Sequence, residues 1–173
     1  MQIFQCAQVA NFMGRNQYLV INGKAGWKSG RDSLMAITDV DVAKNAEEEA
    51  RNTIVIFQHY NDNAMYQPVF DGSGTEGDAK VDYVALLDPD GENICRLAFD
   101  NASHKLIAKM WWGETFMGEG NVKEVYSDFQ DVNGVSLPMK SETFKDGQKI
   151  GVTSYTTYEI NPAISEGTFS KPE

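Results

Sequence analysis

The sequence has little of the chemistry that most enzymes and metalloproteins use. It holds only two histidines, His59 and His104, and two cysteines, Cys6 and Cys95, in 173 residues. Neither histidine stands in an HExxH or other ligand-like spacing, and the cysteines form no CxxC, so no metal site and no thiol pair is written into the chain. There is no GxSxG, which removes the serine-elbow hydrolases. No apolar run approaches the length of a membrane-spanning helix. Cations are scarce as well. Fifteen Lys and Arg stand against twenty-five Asp and Glu, a formal net charge of -10. A phosphate backbone needs clustered Lys and Arg, so nucleic acid is not the expected partner. The same charge disfavours adsorption to anionic headgroups but not the burial of an acyl chain.

What is present is an ordinary globular composition, 42% hydrophobic and 23% charged, long enough for one core without disulfide help. Cys6 and Cys95 fit either a single bridge in an exported chain or two buried thiols. The opening MQIFQCAQVA is too short and polar for a secretory signal, leaving a cytoplasmic chain or one whose leader has been removed.

The clearest structural grammar runs over residues 121–162. Asn133-Gly134 and Asp146-Gly147 each separate alternating runs, and both dipeptides tolerate the positive φ that a tight hairpin demands. A last strand is expected over 149–160, with Ile150, Val152, Tyr158 and Ile160 on one face and Thr153, Thr157 and Glu159 on the other. Upstream, strands are expected over 17–22, 81–87, 93–100 and 106–112, with turns at Asp88-Pro89-Asp90-Gly91 and Asn101-Ala102-Ser103. Cys95, Leu97 and Phe99 share one face, as do Leu106, Ala108, Met110 and Trp112. The strand signal is weak over 2–9 and fades over 31–37. Composition makes 71–78, DGSGTEGD, a loop, and 113–120 another. One helix is expected, capped at Thr38 or Asp39, with Val42, Ala46, Ala50, Ile54 and Phe57 as its apolar stripe and Glu47, Glu48 and Glu49 on its wet side. The tail, with Pro162 and Pro172, is expected to lie across the sheet without adding a strand.

These elements predict a mainly β (α+β) fold: a strongly curved antiparallel sheet of eight or nine strands, part of whose apolar face one helix covers. The loop DGSGTEGD has oxygen ligands but not the register or closing Glu of a calcium loop, so it reads as solvated. Asn101-Ala102-Ser103 fits a glycosylation acceptor, a pattern common by chance. The aromatics are more informative. Ordinary core accounts for any one of them, but a subset could wall an apolar pocket. The candidates for such a wall are Trp27, Phe57, Tyr83, Leu97, Phe99, Met110, Trp112, Phe129 and Tyr155.

The order of elements resembles the outer-membrane lipoprotein-sorting, or LolA-like, family of periplasmic carriers. The residues that carry the likeness are Asn22-Gly23-Lys24-Ala25-Gly26-Trp27, the hairpin from Leu86 to Phe99, and Tyr126-Ser127-Asp128-Phe129 through Asn133-Gly134-Val135-Ser136-Leu137-Pro138. The ending Glu159-Ile160-Asn161-Pro162 with Phe169-Ser170-Lys171-Pro172 adds to it. The resemblance implies an unclosed β-barrel under a helical lid, one domain over 1–173 that lacks the family's N-terminal helix and first strands. It implies a non-enzymatic periplasmic carrier with no cofactor and no metal, whose partners are lipid or lipoprotein acyl chains and a lipoprotein-transfer protein at the inner or outer membrane. The alternative is an interaction or accessory domain of a larger exported protein, with its sheet filled by its own side chains.

Overall fold

A computed structural model describes residues 5–12, 15–22, 25–30, 33–38, 40, 67–160 and 162–172. The chain divides into two compact units, one from Met1–Ile56 with Pro162–Glu173, the other Phe57–Asn161.

The first unit carries a four-stranded antiparallel meander, β1 (Gln5–Phe12), β2 (Arg15–Asn22), β3 (Ala25–Ser29) and β4 (Leu34–Ile37). The faint signals at either end of this segment are therefore both strands. Ile21 and Ile37 are buried with Leu19 packed against them. Gly26 stands between them in register, and a Cβ there would come within 3.1 Å of Ile37 Cδ1, so its missing side chain lets the two isoleucines close. The tail over 162–172 adds no strand, and Asn22 Nδ2 donates to the Phe169 carbonyl.

The second unit is a seven-stranded antiparallel meander in simple order: β5 (Gln67–Glu76), β6 (Ala79–Leu87), β7 (Asn93–Asp100), β8 (Leu106–Thr115), β9 (Gly118–Val132), β10 (Val135–Lys145) and β11 (Gln148–Ser154). β5 and β11 are its two edges, so the sheet is not closed into a barrel. Both dipeptide turns form as their chemistry demands. Asn133 and Gly134 take φ of 54° and 83°, and Asp146 and Gly147 take 48° and 83°. At the β6–β7 turn Asp88 Oδ1 accepts from the amides of Asp90 and Glu92, and at the β7–β8 turn Asp100 Oδ1 accepts from the amide and hydroxyl of Ser103. Eleven strands are described in all, against the eight or nine that alternation indicates.

Four register shifts curve this second sheet, between Phe70 and Ser73, Leu86 and Leu87, Ala98 and Phe99, and Thr143 and Phe144. Each inserts a residue on one strand and adds local twist. The shift at Ala98 sets Leu106 opposite Phe99, which removes Leu106 from the face of Ala108, Met110 and Trp112 where alternation would put it.

Three sequence expectations are corrected here. Residues 71–78 are not a loop, because most of them form the second half of β5. Residues 113–120 are not a loop either; β8 and β9 run through them to a tight turn at Phe116 and Met117, held by Thr115 Oγ1, which donates to the Gly118 carbonyl and accepts from the Met117 amide. The last strand stops at Ser154 and does not reach Ile160. There the Tyr155 amide donates to the Met139 carbonyl and the Tyr158 hydroxyl to that of Pro138, which keeps the chain beside the first half of β10. The expected helix over 40–60 and its role as a lid lie outside the described residues, except that Val40 is helical and exposed.

Candidate groove on the seven-stranded sheet

Strand alternation divides the second unit's side chains between two faces. On one, Val81, Tyr83, Ala98 and Ala108 form a buried cluster with Ala79, Met110 and Val125 packed against it. Small side chains dominate this cluster, which lets the strands bend toward it. Leu86, Cys95, Leu97, Val122 and Tyr126 are buried on the other face, and Cys95 is a free thiol that burial pushes above its usual pKa.

An ion pair reports the direction of bending. Lys123 of β9 meets Glu76 of β5 on the first face, although the two strands are four positions apart in the sheet. In a flat sheet that separation is about 19 Å, well beyond the combined reach of the two side chains. The sheet therefore folds toward this face, and Lys123 and Glu76 act as a strap across it.

β5 is built to supply its end of the strap. The register shift at Asp71-Gly72, with Gly72 at a φ of 89°, sets Asp71 beside Tyr83 and Arg96. A Cβ at Gly74 would lie 2.9 Å from Tyr83 Cε2, so this glycine gives the ring its place. Tyr83 donates from its hydroxyl to Glu76 Oε1 at 3.0 Å, and burial together with the Glu76 carboxylate holds its pKa above the usual phenol range. The Arg96 guanidinium lies 3.7 Å from the Tyr83 ring centroid. Arg96 also donates from Nη2 to the Asp71 carbonyl at 2.9 Å, while its Nε stands 2.7 Å from Asp71 Oδ2 without an aligned N–H.

Next to this polar set lies an open groove of about 640 Å³. Ile94 of β7, Met110 and Trp112 of β8, Val125 of β9 and Phe144 of β10 give it apolar walls, and Arg96 and Lys123 line it too. Arg96, Met110 and Lys123 are direct register partners on three adjacent strands, so the two cations flank one methionine in a single row. At one rim, Asp146 Oδ1 accepts from the Asn121 amide, and the Asp146 amide donates to the Asn121 carbonyl. Lys145 and these Asn121 contacts hold the Asp146 carboxyl below the usual range. Beyond the groove the β8–β9 hairpin ends in the exposed side chains of Phe116 and Met117. Among the described residues no group of three or more His, Cys, Asp and Glu could hold a metal, and no helix is long and apolar enough to cross a membrane.

The nine residues expected to wall one pocket are not all together. Met110 and Trp112 line the groove, Trp112 being 62% exposed, and Tyr83 sits on the same face beside it. Leu97 and Phe99 point to the opposite face, because they alternate with Arg96 and Ala98 on β7, and Leu97 is only 1% exposed. Tyr155 stacks against Tyr158 beyond the end of β11, with ring centroids 5.0 Å apart. Phe129 lies under the Lys105 ammonium at 4.8 Å, just after Asp128, which takes a φ of 55°. Trp27 is half-buried in β3 of the other unit, and Phe57 lies outside the described residues. Of the polar partners, Arg96 and Lys123 had a signal of their own, cations interrupting the alternation of two half-apolar strands; Asp71 and Glu76 had none.

No protein-family profile matches the sequence, and no curated protein matches it. Two solved structures are similar in fold. A LolA superfamily protein from Nitrosomonas europaea superposes with a TM-score of 0.56 at 12% identity, covering 94% of this chain and 73% of the other. A domain from Vibrio parahaemolyticus, named for outer-membrane lipoprotein sorting, superposes with a TM-score of 0.45 at 9% identity over 96% and 80%. The first likeness gives the fold, which is LolA-like: curved, unclosed antiparallel sheet.

Proposed function

We propose that this chain of LolA-like fold is a non-enzymatic binding protein of the bacterial periplasm that holds acyl chains of a lipid or lipoprotein in the groove of its seven-stranded sheet. The observation that carries the reading is the groove itself, about 640 Å³ with Ile94, Met110, Trp112, Val125 and Phe144 as apolar walls. That volume is within the range of small-molecule sites. Each methylene buried contributes about 0.8 kcal/mol, so an acyl chain needs few polar contacts to be retained. The fold's likeness to a LolA superfamily protein supports the same class of ligand. Of the nine candidates, Met110 and Trp112 remain as the proposed wall, with Tyr83 next to it on the same face.

Protein purified from cells, extracted with organic solvent and analysed by mass spectrometry, is expected to release lipid, and the stripped protein to take up a fluorescent fatty acid. Trp112→Asp is expected to weaken uptake and leave the circular dichroism spectrum unchanged. Absence of both lipid and uptake sinks the carrier reading.

A second reading, an interaction module of a larger exported protein, is favoured by the hairpin tip, where Phe116 is 83% exposed beside Met117. It predicts that Phe116→Ser removes a protein partner while fatty-acid uptake is absent from the outset.

A further inference from the structure

We infer that the groove selects amphiphiles with an anionic head, a fatty carboxylate in the first place, and that Arg96 and Lys123 are the residues that recognise it. The inference rests on the acyl-binding reading above and specifies its substrate class.

The chain carries ten more acidic than basic side chains, yet both charged residues lining the groove are cations. They occupy one cross-strand row with Met110 between them, next to walls that suit a hydrocarbon chain. Each is neutralised by a carboxylate from a single source, the edge strand β5: Asp71 for Arg96 and Glu76 for Lys123. The cations keep more than a third of their side-chain surface in solvent, as does Asp71. The Arg96–Asp71 pair, exposed on both sides, is weak because water competes for both members. The Asp71 carboxylate is also off the Arg96 Nε–H axis. A ligand carboxylate entering with its chain along Met110 and Trp112 can therefore replace Asp71 on Arg96, with Lys123 beside it in the same row adding its charge. Arg96 keeps one carboxylate partner through that exchange, and the displaced Asp71 side chain, already 44% exposed, turns into solvent. A neutral head of the same chain length gains nothing there, and a cationic head meets Arg96 and Lys123 directly.

Isothermal titration of the delipidated full chain with dodecanoate and with dodecanol tests the inference. Dodecanoate is expected to bind about tenfold more tightly at low salt, with the advantage shrinking as salt is raised. In the Arg96→Met, Lys123→Met double variant the advantage should disappear, the two probes binding with equal affinity. Because that variant could fold poorly, the complementary substitution Asp71→Asn, which leaves the Lys123–Glu76 contact in place, is decisive on its own: removing the competing carboxylate should raise the ratio of dodecanoate to dodecanol affinity. Equal binding of the two probes to the unaltered chain, or no rise in the dodecanoate-to-dodecanol ratio in Asp71→Asn, overturns the inference and leaves the carrier reading standing. Failure of both probes to bind overturns the two together.

Discussion

The strap between Lys123 and Glu76 offers the sharpest test of the sheet's curvature. Glu76 is 14% exposed in its side chain and Lys123 36%, so the pair is more sheltered than an ordinary surface ion pair. Replacing Lys123 by Met leaves a largely buried carboxylate whose remaining described partner is the Tyr83 hydroxyl, a loss of about 1–3 kcal/mol. For a chain of this size that lowers the melting temperature by about 2–4 °C per kcal/mol. Glu76→Gln should cost less, because the amide oxygen still accepts from Tyr83. The informative quantity is the coupling in the double-mutant cycle, expected at about 1 kcal/mol and diminished as ionic strength rises from about 0.1 to 1 M. Urea denaturation of the four proteins at both salt concentrations measures it. A coupling indistinguishable from zero at low salt would mean that β5 and β9 do not approach across this face, and the groove as described would go with it.

Leu97→Ala should cost about 2–5 kcal/mol in urea denaturation, because Leu97 is 1% exposed, whereas Trp112→Ala should stay within about 1 kcal/mol. Gly134→Val, at a φ of 83°, should destabilise the β9–β10 hairpin by about 1–2 kcal/mol, and Gly134→Asn by less; thermal melts compare them. Tyr158 is pushed up to about 12 by burial first and then by Tyr155 and Glu124. Its neutral form is favoured in the folded state, so its contribution to stability is complete below the ordinary phenol pKa of about 10 and is lost as pH rises through the folded value. Tyrosinate absorbance at 295 nm, followed in Tyr158→Phe and the unaltered chain, reads this out. Asp100 is held below its ordinary pKa by Ser103, and Glu142 by Lys149 and Lys140. Their contributions are present above the usual carboxylate range and fade as pH falls through the lowered values, which carboxyl NMR titration should resolve; unshifted titration of Asp100 would contradict the turn geometry.

Local chemistry made most of the second unit legible. Asn133-Gly134, Asp146-Gly147 and the Asp88 to Gly91 turn each dictate a hairpin through their own backbone preferences, and the strands between them follow from alternation. The sequence was misleading where a glycine served a neighbour rather than its own backbone. DGSGTEGD reads as a solvated loop by composition, yet Gly72 takes up a register shift and Gly74 makes room for the Tyr83 ring, so the segment is half a strand. The groove was legible only in part. Met110 and Trp112 could be found because aromatics and methionine in an alternating strand suggest a wall. Leu97 could not be told from them without knowing which parity faced the bend. Asp71 and Glu76 escaped because their partners, Arg96 and Lys123, stand 25 and 47 residues away, and nothing in short-range pattern reports contacts between strands two and four positions apart.

The uninterrupted order of the seven-stranded sheet bears on how it forms. Every strand pairs with the one made just before or after it, so no ladder has to wait for a distant segment to arrive. Loop-closure entropy stays small at each step, and hairpins stiffened by Asn-Gly and Asp-Gly can zip up one after another as the polypeptide emerges. Such a sheet is expected to refold faster than Greek-key sandwiches of equal length, with the Lys123–Glu76 contact among the last to be made.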